Sequence, residues 1–299
     1  MPELPEVEFA RRSLVRWFDG HSLVKAEADK KARTFRGAST ADFEAIRGSL
    51  QKAERRGKYL MLTFSDGHGV VAHLGMTGKF VKRGSGVDER YSRAKWVLES
   101  GDVIHFRDPR LFGRIEPMPD ADFSKNGVIA ELGHDPLVDG LTGAQLKEKV
   151  APSKQDLKVA LMDQSRIAGL GNIHAAEALY RAKLGPTRKP ATLTDAEWET
   201  LAKAIRTSID FALETEGDGE EIRYLEEGEV ENPFFVYDRG GQPCRSCKTP
   251  IEFFTQGGRT TYFCRTCQRG PKAAKPAKKA KALKPTKVSK KALKRGRRA

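Results

Sequence analysis

The four cysteines constrain this chain more than any other feature, because all of them lie within 24 residues near the end of a 299-residue sequence. They form two Cys-x-x-Cys pairs, Cys244 with Cys247 and Cys264 with Cys267, which are separated by 16 residues. Since no cysteine remains elsewhere in the sequence, this spacing in a reducing compartment predicts a zinc site rather than disulfides. Four thiolates complete a tetrahedron, so we expect one structural Zn²⁺ with no open position for catalysis.

The segment between the two cysteine pairs contains a predicted β-hairpin. Residues 251–254 and 260–263 look like two strands, and Gln256-Gly-Gly-Arg259 joins them. Arg259 therefore lies near the tip of the hairpin. A phosphate contact is the functional interpretation of this arginine, and a solvated surface side chain explains the same pattern.

The net charge of +14 indicates a polyanionic partner, but most of it belongs to the C-terminus. Residues 271–299 hold 13 Lys and Arg and no acid, and subtracting these 13 from the total of 54 leaves 41 bases against 40 acids in the rest of the chain. The Lys, Ala and Pro repeats predict a disordered tail over 270–299. Such a tail is either a tether that raises nonspecific DNA affinity or a solubilising appendage.

Two features of the chain predict an intracellular, cytoplasmic protein. Nowhere do 18 apolar residues follow one another, as a membrane-spanning helix requires. Glu3, Glu6 and Glu8 stand where a signal peptide would need a basic segment and then an apolar one.

The hydrophobic pattern predicts an α+β fold. A helix over about 2–18, with Val7, Leu14, Val15 and Phe18 on its apolar face, precedes short strand-like runs up to about residue 117, such as 59–64, 69–74, 96–98 and 103–106, which indicate a β-sandwich with flanking helices. Beyond residue 120 the period becomes helical, with segments near 143–150, 154–163, 173–182 and 195–214. We predict four parts: a catalytic sandwich domain (2–119), a helical domain (120–232), a zinc finger (233–269) and the tail (270–299).

The beginning of the chain offers a nucleophile. Removal of Met1 would expose the secondary amine of Pro2, and an α-amino group with a pKa near ~8 is unprotonated far more often at neutral pH than a lysine with a pKa near ~10.4. Attack on a sugar carbon would give an iminium, which acts as an electron sink. Glu3 and Glu6 flank the amine and can move protons for it. A frayed terminus with solvated acids is the plainer explanation.

Three further segments point to nucleic acid. Gly169-Leu-Gly-Asn172 predicts a tight turn in which Asn172 caps the next helix, whose free N–H groups would bind an anion such as a phosphate. Met76 lies in one glycine turn, and Arg110 and Phe112 lie in another, where they can serve as wedges that enter a base stack. An ordinary capped helix pair and buried turn anchors explain these segments equally well.

Taken together, the chain resembles the formamidopyrimidine-DNA glycosylase family from Pro2 to about Gln268. Five ordered motifs carry the resemblance: Pro2-Glu-Leu-Pro-Glu-Val-Glu8, His73-Leu-Gly-Met-Thr-Gly78, Asp108-Pro-Arg110 with Phe112-Gly113, Gly169-Leu-Gly-Asn-Ile173, and the spaced cysteines followed by Gln268. The resemblance implies an N-terminal β-sandwich, a helical domain with a helix-two-turn-helix, and a β-hairpin zinc finger, with damaged double-stranded DNA bound in the cleft between them.

The resemblance also implies roles for individual residues. Pro2 would attack C1′ of an oxidised purine nucleotide, release the base and cleave the abasic site by β,δ-elimination. Glu3 would transfer a proton to the sugar ring, and Glu6 would support lesion recognition or a proton relay. The remaining side chains would hold or read the DNA: Lys58, Asn172 and Arg259 at phosphates, Lys158 near the lesion, and Met76, Arg110 and Phe112 in the vacated stack, with Arg110 at the orphaned base. It implies a monomer that works on nucleoid DNA in base excision repair.

Some positions depart from the family pattern. The stretch Glu214–Asn232 carries nine acids where a loop usually closes over the lesion, Arg93-Ala-Lys-Trp96 replaces a histidine-containing motif, and Asp238 replaces a common glycine. Two alternatives therefore stay open: an endonuclease VIII-like glycosylase for oxidised pyrimidines, and a noncatalytic zinc-containing DNA-binding protein.

Overall fold

The computed structural model describes residues 2–35, 37–216, 221–222 and 231–268. The basic tail predicted over 270–299 lies outside the described residues. So does most of the acidic stretch Glu214–Asn232.

The N-terminal part is a helix followed by eight antiparallel strands. Helix α1 (Leu4–Phe18) has a proline in its first turn, where a missing N–H does no harm. Its predicted apolar face is buried except for Val15, which is 44% exposed; the sequence placed that residue on the wrong side. The other elements are β1 (Ser22–Ala28), α2 (Thr40–Ala45), β2 (Gly48–Arg56), β3 (Tyr59–Phe64), β4 (Gly69–His73), β5 (Lys79–Arg83), β6 (Ser92–Leu98), β7 (Val103–Arg107) and β8 (Arg114–Met118).

The strands lie in the order β5-β7-β6-β1-β2-β3-β4-β8. Only two residue pairs join β1 to β2, at Ser22 with Ser49 and at Leu23 with Gly48, so the sheet divides into two four-stranded halves. Aromatic rings from both halves meet in the core: the centroids of Phe64 and Trp96 are 6.1 Å apart. The sandwich expected from the sequence is thereby confirmed.

Three connections cross between the halves of the sandwich: from β1 to β2, from β4 to β5 through Leu74–Gly78, and from β7 to β8 through Asp108–Gly113. The last two begin and end beside each other, because His73 pairs with Arg114 and Lys79 pairs with Arg107. They bring the predicted wedge residues Met76, Arg110 and Phe112 to the same end of the domain.

The second part is helical, with α3 (Gly127–Ala130), α4 (Gly143–Val150), α5 (Leu157–Leu161), α6 (Asn172–Arg181) and α7 (Asp195–Glu216). Its core is formed by the apolar faces of α4, α6 and α7, with Trp198 fully buried. Helix α5 is shorter than the predicted 154–163 at both ends. At its C-terminal end, the Gln164 side chain donates to the carbonyl oxygens of Met162 and Leu170 and favours a turn. Every helix within the described ranges is too short or too polar to cross a bilayer.

The third part is the predicted hairpin, β9 (Glu252–Gln256) and β10 (Arg259–Phe263), flanked by the cysteine pairs. Glu177 on α6 is fully buried and accepts the backbone N–H groups of residues 235, 236 and 237 at 2.8 to 3.1 Å. At the other end, the Gln268 side chain accepts from the Cys264 N–H and donates to Leu184 O. These contacts fix the finger on the helical part.

Candidate active site

The side chain of Glu3 reaches out of the first part into the mouth of α6. Its Oε2 accepts the N–H groups of Gly171 at 2.9 Å and His174 at 3.1 Å, and its Oε1 accepts the N–H of Ile173 at 2.8 Å. Glu3 is fully buried and Pro2 beside it is buried as well. Burial alone would raise the pKa of Glu3, but Lys58, His174 and these N–H donors together hold it below its ordinary value. The group is therefore a carboxylate at neutral pH.

This arrangement corrects one expectation from the sequence. Asn172 was predicted to cap α6 and leave its N–H groups open to an anion, but the N-cap is Gly171 and the anion at the helix mouth is Glu3. The Asn172 side chain points elsewhere: its Nδ2 donates to Thr260 O at 3.0 Å, and its Oδ1 accepts from Lys158. The prediction of an anion site was right about the helix and wrong about the anion.

The chain just after Glu3 is held by the helical part. The Leu4 N–H donates to Gly169 O at 3.1 Å, and the Leu4 side chain lies in the helical core rather than in the sandwich core. Gly169 has φ +95°, and a Cβ there would lie 2.7 Å from Leu4, so both the turn and the close approach require glycine. Pro2 and Glu3 are thus positioned across the cleft by the second part.

Lys58, in the turn between β2 and β3, faces Glu3. A Cβ built on Gly171 would lie 2.4 Å from Glu3 Oε1 and 2.7 Å from Lys58 Nζ, so the two charged groups flank one point. Burial lowers the pKa of Lys58, and Arg259 acts in the same direction, while Glu3 and Glu6 partly offset them. Glu6 accepts the Glu3 backbone N–H at 2.7 Å and so fixes the chain next to Pro2.

Lys158 and Arg259 complete a group of cations around the carboxylate. Lys158 is fully buried, and its Nζ donates to Asn172 Oδ1 and approaches Met162 Sδ at 3.9 Å. Burial lowers the pKa of Lys158 to about 8; Arg259 adds to this and Glu3 opposes it. Arg259 is exposed at the start of β10, as the hairpin prediction required.

The two crossing turns lie against each other. A Cβ on Gly75 would lie 2.4 Å from the Phe112 carbonyl carbon, and Asp108 links the turns by accepting from Thr77 Oγ1 at 3.3 Å and from the Gly113 N–H at 2.7 Å. Phe112 is 52% exposed with the Arg110 guanidinium 5.3 Å from its ring centroid, and Met76 is half-buried. Phe112 is therefore not a buried anchor of its turn.

His73, at the end of β4, stands between these turns and Lys58. The Gly75 N–H donates to its Nδ1 at 3.1 Å. Burial lowers the pKa of His73 to about 4, with Lys58 and Arg114 contributing, so the ring is neutral at physiological pH.

Two described residues of the acidic stretch contact the sandwich. Glu221 forms ion pairs with Arg83 and with Lys79, the second at 3.7 Å, and Lys79 Nζ donates to Ile222 O at 3.3 Å. Ile222 is 1% exposed within the sandwich core. At least this acid is neutralised by basic residues of β5 instead of facing a phosphate.

Sequence reasoning missed the residues that join the parts. Asp135 accepts a two-pronged ion pair from Arg55 at 2.6 and 3.0 Å, and Glu177 supports the finger; both carboxylates are fully buried. Acidic residues in ordinary polar segments show no periodic pattern in the sequence. Their burial and their partners are therefore visible only in the three-dimensional structure.

The four cysteines form the metal site that the spacing predicted. Their Sγ atoms all lie within 4.8 Å of one another, with Cys247 and Cys264 at 3.4 Å and Cys244 and Cys267 at 3.9 Å. A tetrahedral Zn²⁺ with Zn–S bonds near 2.3 Å places its sulfurs about 3.8 Å apart, so the residues present fit this ion. The closed set of four thiolates makes it a structural zinc that folds the finger.

Comparisons with known proteins agree with this architecture. The formamidopyrimidine-DNA glycosylase N-terminal domain matches residues 1–115, the H2TH domain of the same enzymes matches residues 132–223, and the zinc finger found in FPG and IleRS matches residues 241–270. Formamidopyrimidine-DNA glycosylases of Desulfitobacterium hafniense and a Chelativorans species are 37% and 38% identical, each over 90% of this chain and 100% of the relative.

Solved structures extend the similarity to three dimensions. The MutM (Fpg) protein of Thermus thermophilus has a TM-score of 0.76 and 35% identity, and a Lactococcus lactis formamidopyrimidine-DNA glycosylase bound to DNA with an abasic site has a TM-score of 0.77 and 27% identity. Each covers 90% of this chain and 100% of its own. The chain belongs to the formamidopyrimidine-DNA glycosylase family, and it is a zinc-finger DNA glycosylase of base excision repair with the lyase activity characteristic of that family.

Proposed function

We propose that the chain excises oxidised purines, namely 8-oxoguanine and formamidopyrimidines, from double-stranded DNA, and that it cleaves the resulting abasic site through a Schiff base at Pro2. The observation that carries this proposal is the convergence of Pro2 and Glu3 with Lys58, Lys158, Asn172 and Arg259 at the mouth of α6. A buried carboxylate next to the amine that removal of Met1 exposes, with cations around it, suits attack on a sugar between two phosphates.

Glu3 begins the reaction as a proton acceptor. Its lowered pKa keeps the carboxylate ionised but makes it a weak base, so it accepts one proton of the Pro2 ammonium only as the freed nitrogen lone pair attacks the sugar. That lone pair forms a bond to C1′ as the bond from C1′ to the base breaks, and the base leaves with the electron pair and takes up the proton that remains on the Pro2 nitrogen. Glu3 then gives its proton to the ring oxygen O4′, the ring opens, and a C1′ iminium remains.

The iminium draws electrons for two eliminations. Loss of a proton from C2′ expels the 3′ phosphate, and a second elimination along the conjugated chain expels the 5′ phosphate. Hydrolysis of the imine releases the sugar remnant and restores Pro2. The four-thiolate zinc site folds the finger and has no open position through which it could join these steps.

The remaining site residues hold the extruded nucleotide. Lys58, Asn172 and Arg259 contact its flanking phosphates, Lys158 lies near the lesion, and Glu6 keeps the N-terminus in place through the Glu3 N–H. Extrusion of a base costs a few kcal/mol, and filling its place in the stack offsets part of this. The exposed ring of Phe112, with Arg110 over it and Met76 in the adjoining turn, is suited to that role. We propose that the protein acts as a monomer on nucleoid DNA in the cytoplasm.

Borohydride trapping tests the proposal. Purified protein is incubated with duplexes that contain 8-oxoguanine opposite cytosine, thymine glycol or no lesion, and the reduced imine is captured as a covalent adduct. We expect an adduct on 8-oxoguanine, with excision faster than from thymine glycol, and loss of the adduct in Pro2→Gly and Glu3→Gln. Faster excision of thymine glycol would favour the oxidised-pyrimidine enzyme. Failure to trap any duplex, or retention of Met1 by mass spectrometry of the mature protein, would leave only a DNA-binding protein.

A further inference from the structure

The turn that presents Lys58 is held in place by a carboxylate from the helical part of the protein. Asp135 lies between β8 and α4, and its Oδ2 accepts the Gly57 N–H at 2.8 Å and Arg55 Nη1 at 2.6 Å. Arg55 Nη1 also donates to Gly57 O at 2.9 Å. Both backbone polar groups of Gly57, the residue immediately before Lys58, are therefore bound within one ion pair.

This ion pair is fully buried and rigid. The side chains of Arg55 and Asp135 are 1% and 0% exposed, and Asp135 Oδ1 takes Arg55 Nη2 at 3.0 Å together with the N–H groups of Leu137 and Val138. Glu8 approaches Arg55 Nε at 3.4 Å and adds a second negative charge from α1. A carboxylate with all its lone pairs engaged has little freedom to shift.

Steric contact fixes the same turn from the other side. Gly57 has φ +57°, and a Cβ there would lie 3.1 Å from Ala168 Cβ and 3.3 Å from the Gly169 nitrogen. Gly169 is the residue whose carbonyl receives the Leu4 N–H next to Glu3. The turn before Lys58 and the segment after Glu3 therefore contact the same short stretch of the helical part, Ala168 and Gly169.

We propose that Asp135 is a positioning residue for Lys58: it locks the 55–57 turn onto the helical part so that the lysine ammonium stands beside Glu3. The inference rests on the function proposed above, because it takes Lys58 to act at the phosphate or the reacting sugar. Asp135 itself touches neither. Asp135 affects catalysis only by fixing the position of the Lys58 ammonium group.

A double-mutant cycle separates this role from a purely structural one. The full chain and its Asp135→Asn, Lys58→Met and doubly substituted variants are compared for the rate of single-turnover cleavage of an abasic-site duplex, and borohydride trapping in parallel reports whether each variant forms the imine. A misplacement of about 1 Å in a catalytic group lowers a rate roughly 100-fold, so we expect Asp135→Asn to lower it by about 10- to 100-fold. In the Lys58→Met background the same change should alter the rate by less than about twofold, because the two residues act as a unit.

A matched control and a second variant cover the case in which the buried pair is needed for folding. Glu131→Gln removes an exposed carboxylate from the same segment, at the C-cap of α3, so its rate should stay near that of the natural protein. Gly57→Ala leaves the ion pair intact and presses the turn against Ala168, so it should slow cleavage, whereas Gly20→Ala, at φ +73° in open space, should not.

The outcomes distinguish the two proposals. If the natural protein forms no adduct, the proposed function fails. If it forms one but Asp135→Asn and Gly57→Ala match its rate, or if Asp135→Asn slows the Lys58→Met variant as much as it slows the natural protein, the positioning role is refuted and the function stands.

Discussion

Replacement of Gly171 by alanine is the most direct way to disturb the site without disturbing the fold. Gly171 lies at φ −134° and ψ −152°, an extended conformation that alanine can also adopt, so the substitution does not strain the backbone. The added methyl would lie 2.4 Å from Glu3 Oε1 and 2.7 Å from Lys58 Nζ. Both atoms are at the ends of flexible side chains, which can move aside.

The size of the effect follows from these distances. Nonbonded heavy atoms prefer a separation of about 3.5 Å, so Glu3 Oε1 must move by about 1 Å away from the new methyl group. That movement breaks its bond with the Ile173 N–H, now 2.8 Å long. A hydrogen bond to a charged group contributes roughly 1.5–3 kcal/mol, which corresponds to about 10- to 150-fold in rate. The geometric estimate of roughly 100-fold for a misplacement of this size falls in the same range.

Single-turnover excision of 8-oxoguanine by Gly171→Ala should therefore fall by about two orders of magnitude, and the lost hydrogen bond should also lower the melting temperature by a few degrees. Gly84→Ala is the control, because it lies in ordinary backbone with nothing within 4 Å of the new methyl. Gly171→Ala activity within about threefold of the control would show that the Glu3 and Lys58 positions do not govern the reaction.

Three further outcomes are expected. Affinity for lesion DNA should fall as the pH rises through about 8, where Lys158 loses its charge, and Lys158→Met should flatten that profile. The same rise in pH should stabilise the free protein, because the pKa of Lys158 in the folded state lies below its ordinary value of 10.5. Chemical denaturation at each pH measures this second effect. Removal of zinc by a chelator should abolish DNA binding while most of the helical circular dichroism remains, and unchanged binding would contradict a structural zinc. A chain ending at Gln268 should bind undamaged DNA more weakly, with a shallower salt dependence, but excise at nearly the full single-turnover rate; a large loss of excision would instead place the tail in the active complex.

Local pattern was enough to identify much of the fold. Strand β3 and helix α4 occupy the predicted residues, because each combines one clear period with turn residues or a capping threonine at its ends. Strands β1, β2, β5 and β8 were not individually predicted. The buried and exposed positions of β1 and β2 alternate poorly, and the pairing register of each strand shifts once, near Leu23 in β1 and near Leu50 in β2.

The zinc site and the position of Arg259 were predictable as well. The residues of each Cys-x-x-Cys pair and of the hairpin turn lie only a few positions apart, so local chain geometry determines where they lie. The environment of Glu3 was not. Asn172 has the composition of a helix cap, yet a carboxylate 169 positions earlier in the chain takes those N–H groups, because the first part of the protein packs Leu4 into the core of the second.

The sequence by itself determined the elements, the metal and the kinds of residue available for chemistry, because these depend on local propensity and on ligands a few residues apart. Only the tertiary structure decided which helix mouth receives Glu3, that Lys158 is buried and so titrates near 8, and that Asp135 secures the turn before Lys58. Each of these depends on burial and on contacts between distant segments, and the free energy of such contacts is set by how two folded surfaces meet rather than by any pattern along the chain.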